Sequence, residues 1–257
     1  MTPSPRRPPD APDPDRISRA AAPARALEAA RRRFYNAGGP WYRARMFEAV
    51  GSRRYSRPAL YRMDTQLVQI LPREGGTFFE AGAHDGYTQS NTYYLERFRG
   101  WSGILVEPIP ELNRRCTRRR PRSRVVQAAL VGPGFADPEV TLHFGDLMSV
   151  VGDAGHAAGG LAVVGRPAYE VSVPAKTLTT ILDEAGAPPI DLMVLDLEGH
   201  ELEALRGLDL DRLAPAHLLL EALQPQEQKP AFDQELRSHF DFLAELSPYD
   251  LLYRRRD

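Results

Sequence analysis

The chain has 257 residues, 42% of them hydrophobic and 26% charged, which is typical of a globular protein that buries a substantial core. A formal net charge of −1 provides no overall field that would attract nucleic acid. The single cysteine, Cys116, excludes an intrachain disulfide and a cysteine-based zinc site. No stretch approaches the ~18 apolar residues of a membrane span, and no secretory signal is visible, so we expect a cytoplasmic protein.

The N-terminal part of the chain is predicted to be a disordered tail followed by a helical cap. Residues 1–23 contain seven prolines and almost no large apolar side chains, so they cannot bury enough surface to offset the entropy of ordering. Residues 24–71 have a helical composition, with a break at Gly38-Gly39-Pro40. The individual helices are predicted at 24–34, 41–50 and 59–71. The main domain then covers residues 72–257.

Within the main domain, short apolar runs alternate with helical stretches. Strands are predicted at 77–81, 102–106, 125–130, 191–195 and 217–220, and helices at 90–98, 110–120, 177–186, 200–206 and 232–246. This alternation is typical of parallel strands joined by crossover helices, and it predicts a doubly wound, Rossmann-like α/β sheet. Residues 140–144 and 170–173 predict an additional strand pair. The Gly- and Ala-rich residues 152–166 between them predict a mobile loop over the site.

The first candidate site follows the first strand of this sheet. The strand leads through Glu80 into a Gly-x-x-x-Gly turn, from Gly82 to Gly86, and then into a polar helix start that contains Ser90 and Asn91. In open α/β sheets, ligands bind beyond the carboxyl ends of the strands. Gly82 has no Cβ where a ligand would approach the backbone, and the free N–H groups of the helix start attract an anion. An ordinary strand–turn–helix connection is the alternative, since a glycine turn alone is weak evidence.

The second candidate residue is Glu107, which follows the strand Gly103-Ile-Leu-Val106 and lies 21 residues after Gly86. Rossmann-type sheets place an acid near this spacing, at the end of the second strand, where it accepts hydrogen bonds from both ribose hydroxyls. Pro108 ends the strand and directs the carboxylate into the crevice. Glu107 is therefore predicted to bind the ribose of a nucleotide cofactor.

The third candidate is the sequence Asp196-Leu-Glu198-Gly-His200, which follows a strongly apolar strand. Asp196, Glu198 and His200 are the predicted catalytic residues, and His200 is the best general base because the usual pKa of histidine is near 6.5. The acids could instead simply favour the first turn of the next helix, whose dipole attracts negative charge. Such a triplet could also hold a divalent cation. We predict no obligatory metal, because one short segment cannot supply the near-octahedral ligands that Mg²⁺ requires.

Longer runs around these candidates resemble the FkbM methyltransferases. The resemblance spans about residues 76–222 and rests on the runs Phe79–Thr92, Tyr94–Arg97, Gly100–Pro108, Lys176–Asp183 and Val194–Leu202. It implies a class I methyltransferase sheet, S-adenosyl-L-methionine as the cofactor, and O-methylation of a hydroxyl on a sugar, glycan or polyketide-type metabolite. His84 departs from the family, in which many members have asparagine at that position. The predicted cofactor residues are Glu80, Gly82, Ala83, His84, Asp85, Gly86, Ser90, Asn91, Glu107 and Asp196.

Two other functions remain open at this point. A non-catalytic protein that keeps the fold would be expected to have lost some of these acids and glycines. An NAD-dependent oxidoreductase would need the Gly-x-Gly-x-x-Gly fingerprint, but Ala83-His84-Asp85 places side chains where a pyrophosphate needs room. S-adenosylmethionine has no phosphate and tolerates these side chains better. The expected partner is a small-molecule or glycan hydroxyl acceptor, without nucleic acid and without a membrane span, and the oligomeric state is open.

Two features of the sequence fit these predictions less well. Class I sheets usually finish with an antiparallel strand pair, yet only one strand can be assigned within residues 249–257. Either residues 232–246 are not all helical or the final strand is missing. The arginine-rich run 114–124 is predicted to be a solvated face, with Cys116 half-buried on its helix. The neighbouring positive charges could also lower the pKa of the Cys116 thiol.

Overall fold

A computed structural model describes residues 38–145, 148–151 and 169–257. The chain divides into two compact units between Tyr55 and Ser56. The described part of the first unit contains helix α1 (Gly39–Ala49), which confirms the helix predicted at 41–50. The predicted tail, the helix predicted at 24–34 and the predicted loop 152–166 lie outside the described residues. The predicted cap, 24–71, spans the division between the two units.

The second unit contains two β-sheets. Its described strands are β1 (Thr77–Ala81), β2 (Ser102–Val106), β3 (Arg124–Val126), β4 (Ala129–Leu130), β5 (Glu139–Gly145), β6 (Met148–Val151), β7 (Tyr169–Lys176), β8 (Leu192–Leu195), β9 (His217–Glu221), β10 (Phe240–Glu245) and β11 (Asp250–Arg255). The larger sheet has seven strands in the order β10-β11-β9-β8-β1-β2-β3, and only β11 runs antiparallel to the rest. This order and direction confirm the Rossmann-like class I sheet.

Most of the described helices of the second unit lie at predicted positions. They are α2 (Met63–Ile70), α3 (Tyr93–Phe98), α4 (Pro110–Arg119), α5 (Leu178–Ala185), α6 (Glu201–Arg206), α7 (Leu210–Leu213) and α8 (Pro225–Leu236), with a 3₁₀ turn at Leu60–Arg62 before α2. The helix predicted at 90–98 begins only at Tyr93. Just before it, the side chains of Ser90 and Thr92 form hydrogen bonds with Glu80 at the turn that follows β1.

The strands of the larger sheet are apolar on both faces because helices cover both faces. Phe79, Met193 and Leu218 face one cluster, which also contains apolar residues of α5, α6 and α8. Phe78 and Leu219 face the other cluster, which contains apolar residues of α2, α3 and α4. Successive strand residues point to opposite faces, so one apolar run supplies both cores.

The larger sheet reverses its winding direction at β1, and this point sets the position of a ligand crevice. From β1 the chain proceeds to β2 and β3 on one side, whereas β8 and β9 lie on the other side. Ala81, the last residue of β1, pairs with Val106 of β2 and with Leu195 of β8. The residues that directly follow these strands, Glu107 and Asp196, therefore lie on either side of the turn after β1.

The smaller sheet has the order β4-β7-β5-β6. The antiparallel pairing of β5 with β7 confirms the predicted strand pair at 140–144 and 170–173. The single strand predicted at 125–130 is wrong, because it is divided between the two sheets. Arg124–Val126 pairs with β2 in the larger sheet, whereas Ala129–Leu130 pairs with β7 in the smaller one. An apolar run alone does not reveal that its hydrogen-bonding partner changes.

The helix predicted at 232–246 is also wrong. Helix α8 ends at Leu236, and the chain then forms β10, which pairs antiparallel with β11. Phe240 is buried in the core cluster, while Phe242 lies at the exposed edge of the sheet with 41% of its surface accessible. The residues of β10 fit either structure locally, and the pairing with β11 selects the strand. Both strands of the final antiparallel pair of a class I sheet are therefore present.

Candidate active site

A cleft of about 970 Å³, including its open mouth, lies at the carboxyl ends of β1, β2 and β8. The predicted residues that line it are Glu80, Gly82, His84, Ser90, Glu107, Asp196, Glu198 and His200. The four other predicted residues, Ala83, Asp85, Gly86 and Asn91, are not among its lining residues and are buried behind it. The structure thus brings the three candidate segments together around one cavity.

The glycines of the turn after β1 are required by the chain itself. Gly82 has a φ of 80°, and a Cβ there would lie 2.0 Å from the carbonyl oxygen of Asp196. Gly86 also has a φ of 80°, and its Cβ would lie 3.0 Å from the Cα of Cys116. The neighbouring strand end is therefore by itself a reason for glycine at position 82, and the expectation that a ligand approaches the backbone there stays a prediction.

The carboxylate of Glu80 organises the same turn from within. It accepts hydrogen bonds from the Ser90 hydroxyl at 3.0 Å, from the Asn91 backbone N–H at 2.8 Å and from the Thr92 hydroxyl. The backbone N–H of Tyr93 donates to the Ser90 Oγ at 3.1 Å. We expected the N–H groups at this helix start to be free for an anion, but those of Asn91 and Tyr93 are occupied by side chains of the turn.

Asp85 is held in its charged form by the residues that follow it. It accepts hydrogen bonds from the backbone N–H groups of Tyr87 at 3.0 Å and Thr88 at 2.8 Å, and its carboxylate lies 2.5 Å from Arg119. Burial by itself raises the pKa of Asp85, but the His84 ring and the Arg119 guanidinium outweigh it and hold the pKa well below its usual range. Asp85 therefore stabilises the turn instead of facing the cavity.

The arginine-rich run is not the uniformly solvated face that we expected. Arg119 and Arg120 are buried, while Arg114 and Arg118 are exposed. Cys116, predicted to be half-buried, is completely buried, and burial raises the pKa of its thiol despite the nearby arginine charge. The alternative of an activated thiol is therefore wrong.

Glu107 is buried at the end of β2, where its carboxylate faces the turn after β1. One oxygen accepts a hydrogen bond from the His84 backbone N–H at 2.7 Å, and the other accepts one from the Ile109 backbone N–H at 2.9 Å. Each oxygen has a second lone pair that can accept a further hydrogen bond. Burial raises the pKa of Glu107 to about 7.

Three residues along the cleft adopt a left-handed backbone conformation that is unfavourable for side-chain-bearing residues. They are His84 with a φ of 49°, Gln89 with a φ of 59° and Glu198 with a φ of 54°. Each such conformation costs on the order of 1–3 kcal/mol and persists only where the surrounding structure imposes it. Their concentration around one cavity supports its assignment as the functional site.

The segment after β8 places its three candidates at the cleft. Burial raises the pKa of Asp196 to about 6. Burial, together with the charges of Asp196 and Glu201, raises the pKa of Glu198 to about 7. Burial lowers the pKa of His200, so the ring is neutral at pH 7. The His200 Nε2 is buried and has no hydrogen-bond partner within the described ranges of the chain.

Two further carboxyls beside this segment, Glu201 and Glu221, were not among the predicted site residues. Glu201 accepts hydrogen bonds from the backbone N–H groups of Leu197 at 2.8 Å and Gly199 at 3.1 Å, which shapes the turn. Glu221 ends β9 next to Asp196, and burial together with the Asp196 charge raises its pKa to about 10. Asp196 and Glu221 are therefore an interacting pair of carboxyls, and burial is the main cause that raises the pKa of each. The acid that ends the Leu218-Leu219-Leu220 strand was the signal that could have revealed Glu221.

An apolar wall of the cleft was also missed. Its residues come from β2, α4, the segment around β4, and β5 of the smaller sheet, and they are Val106, Leu112, Ala128, Ala129, Leu130 and Leu142. The strand pair was predicted, but the sequence does not show that the smaller sheet lies against the cleft. The cleft is therefore lined by apolar side chains as well as by the acids Glu80, Glu107, Asp196 and Glu198.

Two possible features are not found in the described part of the chain. Residues 38–145, 148–151 and 169–257 contain no group of three or more His, Cys, Asp or Glu residues arranged to hold a metal ion. Among the same residues, none of the helices is both long enough and apolar enough to cross a membrane.

The sequence profile described as the methyltransferase FkbM domain matches residues 80–250, which is more than half of the chain. The chain belongs to the FkbM methyltransferase family. A comparison with curated protein sequences gives no match. As an FkbM methyltransferase, the protein uses S-adenosylmethionine as its cofactor, and the region matched contains every predicted site residue.

Solved structures with a similar fold share little of the sequence of this chain. A TehB-like SAM-dependent methyltransferase from Corynebacterium glutamicum is 14% identical, with a TM-score of 0.43, over 89% of this chain and 100% of the other. A SAM-dependent methyltransferase from Aquifex aeolicus is 12% identical, with a TM-score of 0.42, over 77% and 92% of the two chains. Fibrillarin from Aeropyrum pernix, with S-adenosyl-L-methionine bound, is 12% identical, with a TM-score of 0.42, over 71% and 67%. Similarities of this size carry no information about the methyl acceptor.

Proposed function

We propose that this FkbM methyltransferase transfers the methyl group of S-adenosylmethionine to a hydroxyl group on a sugar, glycan or polyketide-type metabolite. The observation that carries the proposal is the cleft at the switch point of the sheet, where Glu107 and Asp196 flank the turn after β1. The lining of this cleft combines apolar side chains with titratable groups. Such a cavity suits a cofactor with an aromatic base, a ribose and a charged amino acid part.

The residues of the cleft fit this cofactor. Glu107 has lone pairs available for the two ribose hydroxyls, because each of its oxygens accepts only one hydrogen bond from the backbone. The apolar wall, with Leu112, Leu130 and Leu142, provides the surface against which an adenine ring would pack. Glu80, Ser90 and the turn that they stabilise complete the lining of the cleft. These assignments extend the predicted cofactor residues to the apolar wall.

When bound, S-adenosylmethionine supplies an electrophilic methyl group on a sulfonium centre. The protein must then remove a proton from the attacking hydroxyl, which a positioned base accelerates by ~10²–10⁴-fold. His200 suits this task because it lines the cleft and burial keeps the ring neutral, so it can accept the proton. Glu198 is the second candidate, with a pKa raised to about 7 by burial and by neighbouring carboxylates.

The two other functions have less support. An oxidoreductase that binds NAD needs a glycine where this turn has His84, whose side chain lies at the cleft. A non-catalytic protein of the same fold has no need for strained backbone at His84, Gln89 and Glu198. The scaffold hypothesis remains the main alternative to be tested. The cytoplasmic location and the absence of a nucleic-acid partner also remain predictions.

Two measurements on the purified full chain test the proposal. Calorimetry should show binding of S-adenosylmethionine and of its demethylated product. Incubation with cofactor labelled in the methyl group should then transfer the label to a hydroxyl-bearing metabolite from a cell extract, which mass spectrometry would identify. A protein that binds the cofactor but transfers no label to any metabolite supports the scaffold alternative. A protein that binds no cofactor contradicts both.

A further inference from the structure

Arg120 is one of the largest side chains in the protein that is completely buried, with 1% of its surface accessible. It follows the last residue of α4, within the arginine-rich run that the sequence predicts to be solvated. Its guanidinium lies 5.3 Å from the ring centre of Phe78 in β1 and 6.0 Å from that of Tyr93 in α3. A charged group is buried this completely only when its hydrogen-bonding partners are also fixed.

The partners of Arg120 all belong to the turn after β1 and the elements that it connects. Its Nη1 donates to the Ser90 Oγ at 3.1 Å and to the Gly86 carbonyl at 3.3 Å, and its Nη2 donates to the Thr92 Oγ1 at 2.8 Å. Its Nε donates to Glu96 of α3 at 2.8 Å. The Arg120 guanidinium is therefore hydrogen-bonded to the middle of the turn, to its end and to the helix that follows.

Arg120 also lies between two buried carboxylates. Its Nη1 is 3.6 Å from Glu80 of β1, which lines the cleft, while Glu96 on the other side is not among the residues that line it. A buried ion pair contributes little to stability compared with well-packed apolar residues. What it does provide is a defined geometry, because an arginine fork satisfies several acceptors in fixed directions.

We propose that Arg120 is a positioning residue of the cofactor site, which holds Glu80, Ser90 and the turn between them in the conformation that binds S-adenosylmethionine. Arg120 does not line the cleft and acts through Glu80 and Ser90, both of which do. The inference rests on the proposed use of this cleft for the cofactor. It gives Arg120 a role in cofactor affinity. The position of Arg120 in an arginine-rich run of the sequence does not reveal that role.

The test compares the full-length protein with Arg120→Lys and Arg120→Gln by calorimetry with S-adenosylmethionine, alongside the melting temperature of each variant. Lysine keeps the charge but cannot reach Glu96, Ser90 and Thr92 together, because its donors radiate from one nitrogen. We expect Arg120→Lys to weaken cofactor binding at least ten-fold per folded molecule, and Arg120→Gln to weaken it further. Wild-type affinity in folded Arg120→Lys would overturn the inference.

Two controls separate positioning from general stability. Arg118→Gln changes an exposed arginine of the same helix and should leave affinity and melting temperature unchanged. Leu236→Ala removes a buried side chain from the cluster on the opposite face of the sheet, so it should lower the melting temperature while folded molecules keep their affinity. If Leu236→Ala weakened binding as much as Arg120→Lys at a similar loss of stability, the effect would be structural and the inference wrong.

A second variant covers the case in which the Arg120 variants do not fold. Glu96→Gln removes the charge of the outer partner and leaves every residue of the cleft unchanged. A loosened Arg120 should then weaken cofactor binding several-fold, and unchanged affinity would contradict the inference. The proposed function has a separate test, because it fails if the wild-type protein binds no cofactor. The inference fails, while the proposed function stands, if the wild-type protein binds the cofactor and either these variants bind it equally well or Leu236→Ala weakens binding as much as they do.

Discussion

Burial shifts the pKa values of the titratable residues around the cleft in opposite directions. It raises the pKa of Glu107 and of Glu198 to about 7, and it lowers the pKa of His200. In each case the low-polarity surroundings disfavour the charged form. The protonation of these residues therefore changes near neutral pH or just below it, and pH should affect both cofactor binding and catalysis.

Cofactor affinity is expected to increase as the pH rises through 7. The ribose hydroxyls donate hydrogen bonds, so they bind the ionised carboxylate of Glu107, which is mostly protonated at pH 6 when its pKa is about 7. Glu107→Gln should lower the affinity for S-adenosylmethionine roughly 10- to 100-fold at pH 8, because a hydrogen bond to a charged group contributes ~1.5–3 kcal/mol. Calorimetry at pH 6, 7 and 8 measures both effects.

The glutamine variant also provides the control for this pH dependence. It cannot ionise, so the difference in affinity between the wild type and Glu107→Gln should shrink by about ten-fold between pH 8 and pH 6. Glutamine can still accept a hydrogen bond from the His84 backbone N–H, but its NH2 group cannot accept the one from Ile109, so the melting temperature of the variant is measured alongside. Equal affinities at pH 8 would remove Glu107 from the cofactor site.

His200→Ala is expected to lower kcat by ~10²-fold or more while changing cofactor affinity little. A general base must be neutral, so the rate should rise with pH through the pKa of His200 and then level off. Since burial lowers that pKa below its usual value, the rise should level off at a lower pH than it would for a solvent-exposed histidine. Rate profiles and cofactor affinity, measured on the same preparation, test this assignment.

The same experiment distinguishes the two candidate bases. If Glu198 is the base, the wild-type rate should still be rising near pH 7, where its pKa lies, and His200→Ala should keep its rate per folded molecule. His200 directly precedes α6, so its replacement could also lower stability. Melting temperatures of the variant and the wild type separate that effect from a loss of catalysis.

At the scale of the elements, the close approach of the β1 and β8 ends determines the identity of Gly82. A Cβ at this position would overlap the Asp196 carbonyl oxygen, and the φ of 80° is unfavourable for alanine. Gly82→Ala should therefore lower stability by about 2–4 kcal/mol, or roughly 5–15 °C in Tm for a chain of this size. Thermal unfolding followed by circular dichroism measures the change.

Gly134 is the matched control for this substitution. A Cβ there would meet no atom within 4 Å, and its φ lies outside the left-handed range. Gly134→Ala should therefore leave Tm nearly unchanged. If Gly82→Ala were as stable as the wild type, the Asp196 carbonyl oxygen would have to lie farther from position 82 than it does in the structure.

The ends of β8 and β9 place Asp196, Glu198 and Glu221 near one another, and this raises the question of a metal. We expect activity to survive EDTA, because burial raises the pKa values of Asp196 and Glu221 and so disfavours their charged forms, and Glu201 is engaged with backbone N–H groups. A bound Mg²⁺ would require these carboxyls to be ionised and arranged near-octahedrally. Loss of methyl transfer in EDTA, with recovery on adding Mg²⁺, would make this group a metal site.

At the scale of the whole molecule, the composition of the chain predicts which part is dispensable. Deletion of residues 1–23 is expected to leave both Tm and cofactor affinity unchanged, because this proline-rich segment has almost no large apolar side chains to bury. The truncated and full-length chains can be compared by thermal unfolding and calorimetry. A decrease of several degrees in Tm would show that the segment packs against the rest of the protein.

The sequence by itself determined the class of fold and the position of the site. The alternation of apolar runs with helical stretches predicted the parallel sheet. A strand that is buried on both faces needs a short continuous apolar run, whereas a helix that buries one face needs apolar residues at the helical period. Glu80, Glu107 and Asp196 could be identified because an acid that follows an apolar strand must lie at the carboxyl edge of a parallel sheet. These inferences depend only on residues that are close together along the chain.

The tertiary structure alone decided how distant segments meet. It divided the apolar run 125–130 between two sheets, formed a strand from residues predicted as helix, and placed Glu221 beside Asp196. It also showed that Gly82 makes room for a neighbouring carbonyl group and that Arg120 is buried between two carboxylates. Strand partners, steric contacts and burial depend on residues far apart in sequence, and local composition carries no information about which of them become neighbours.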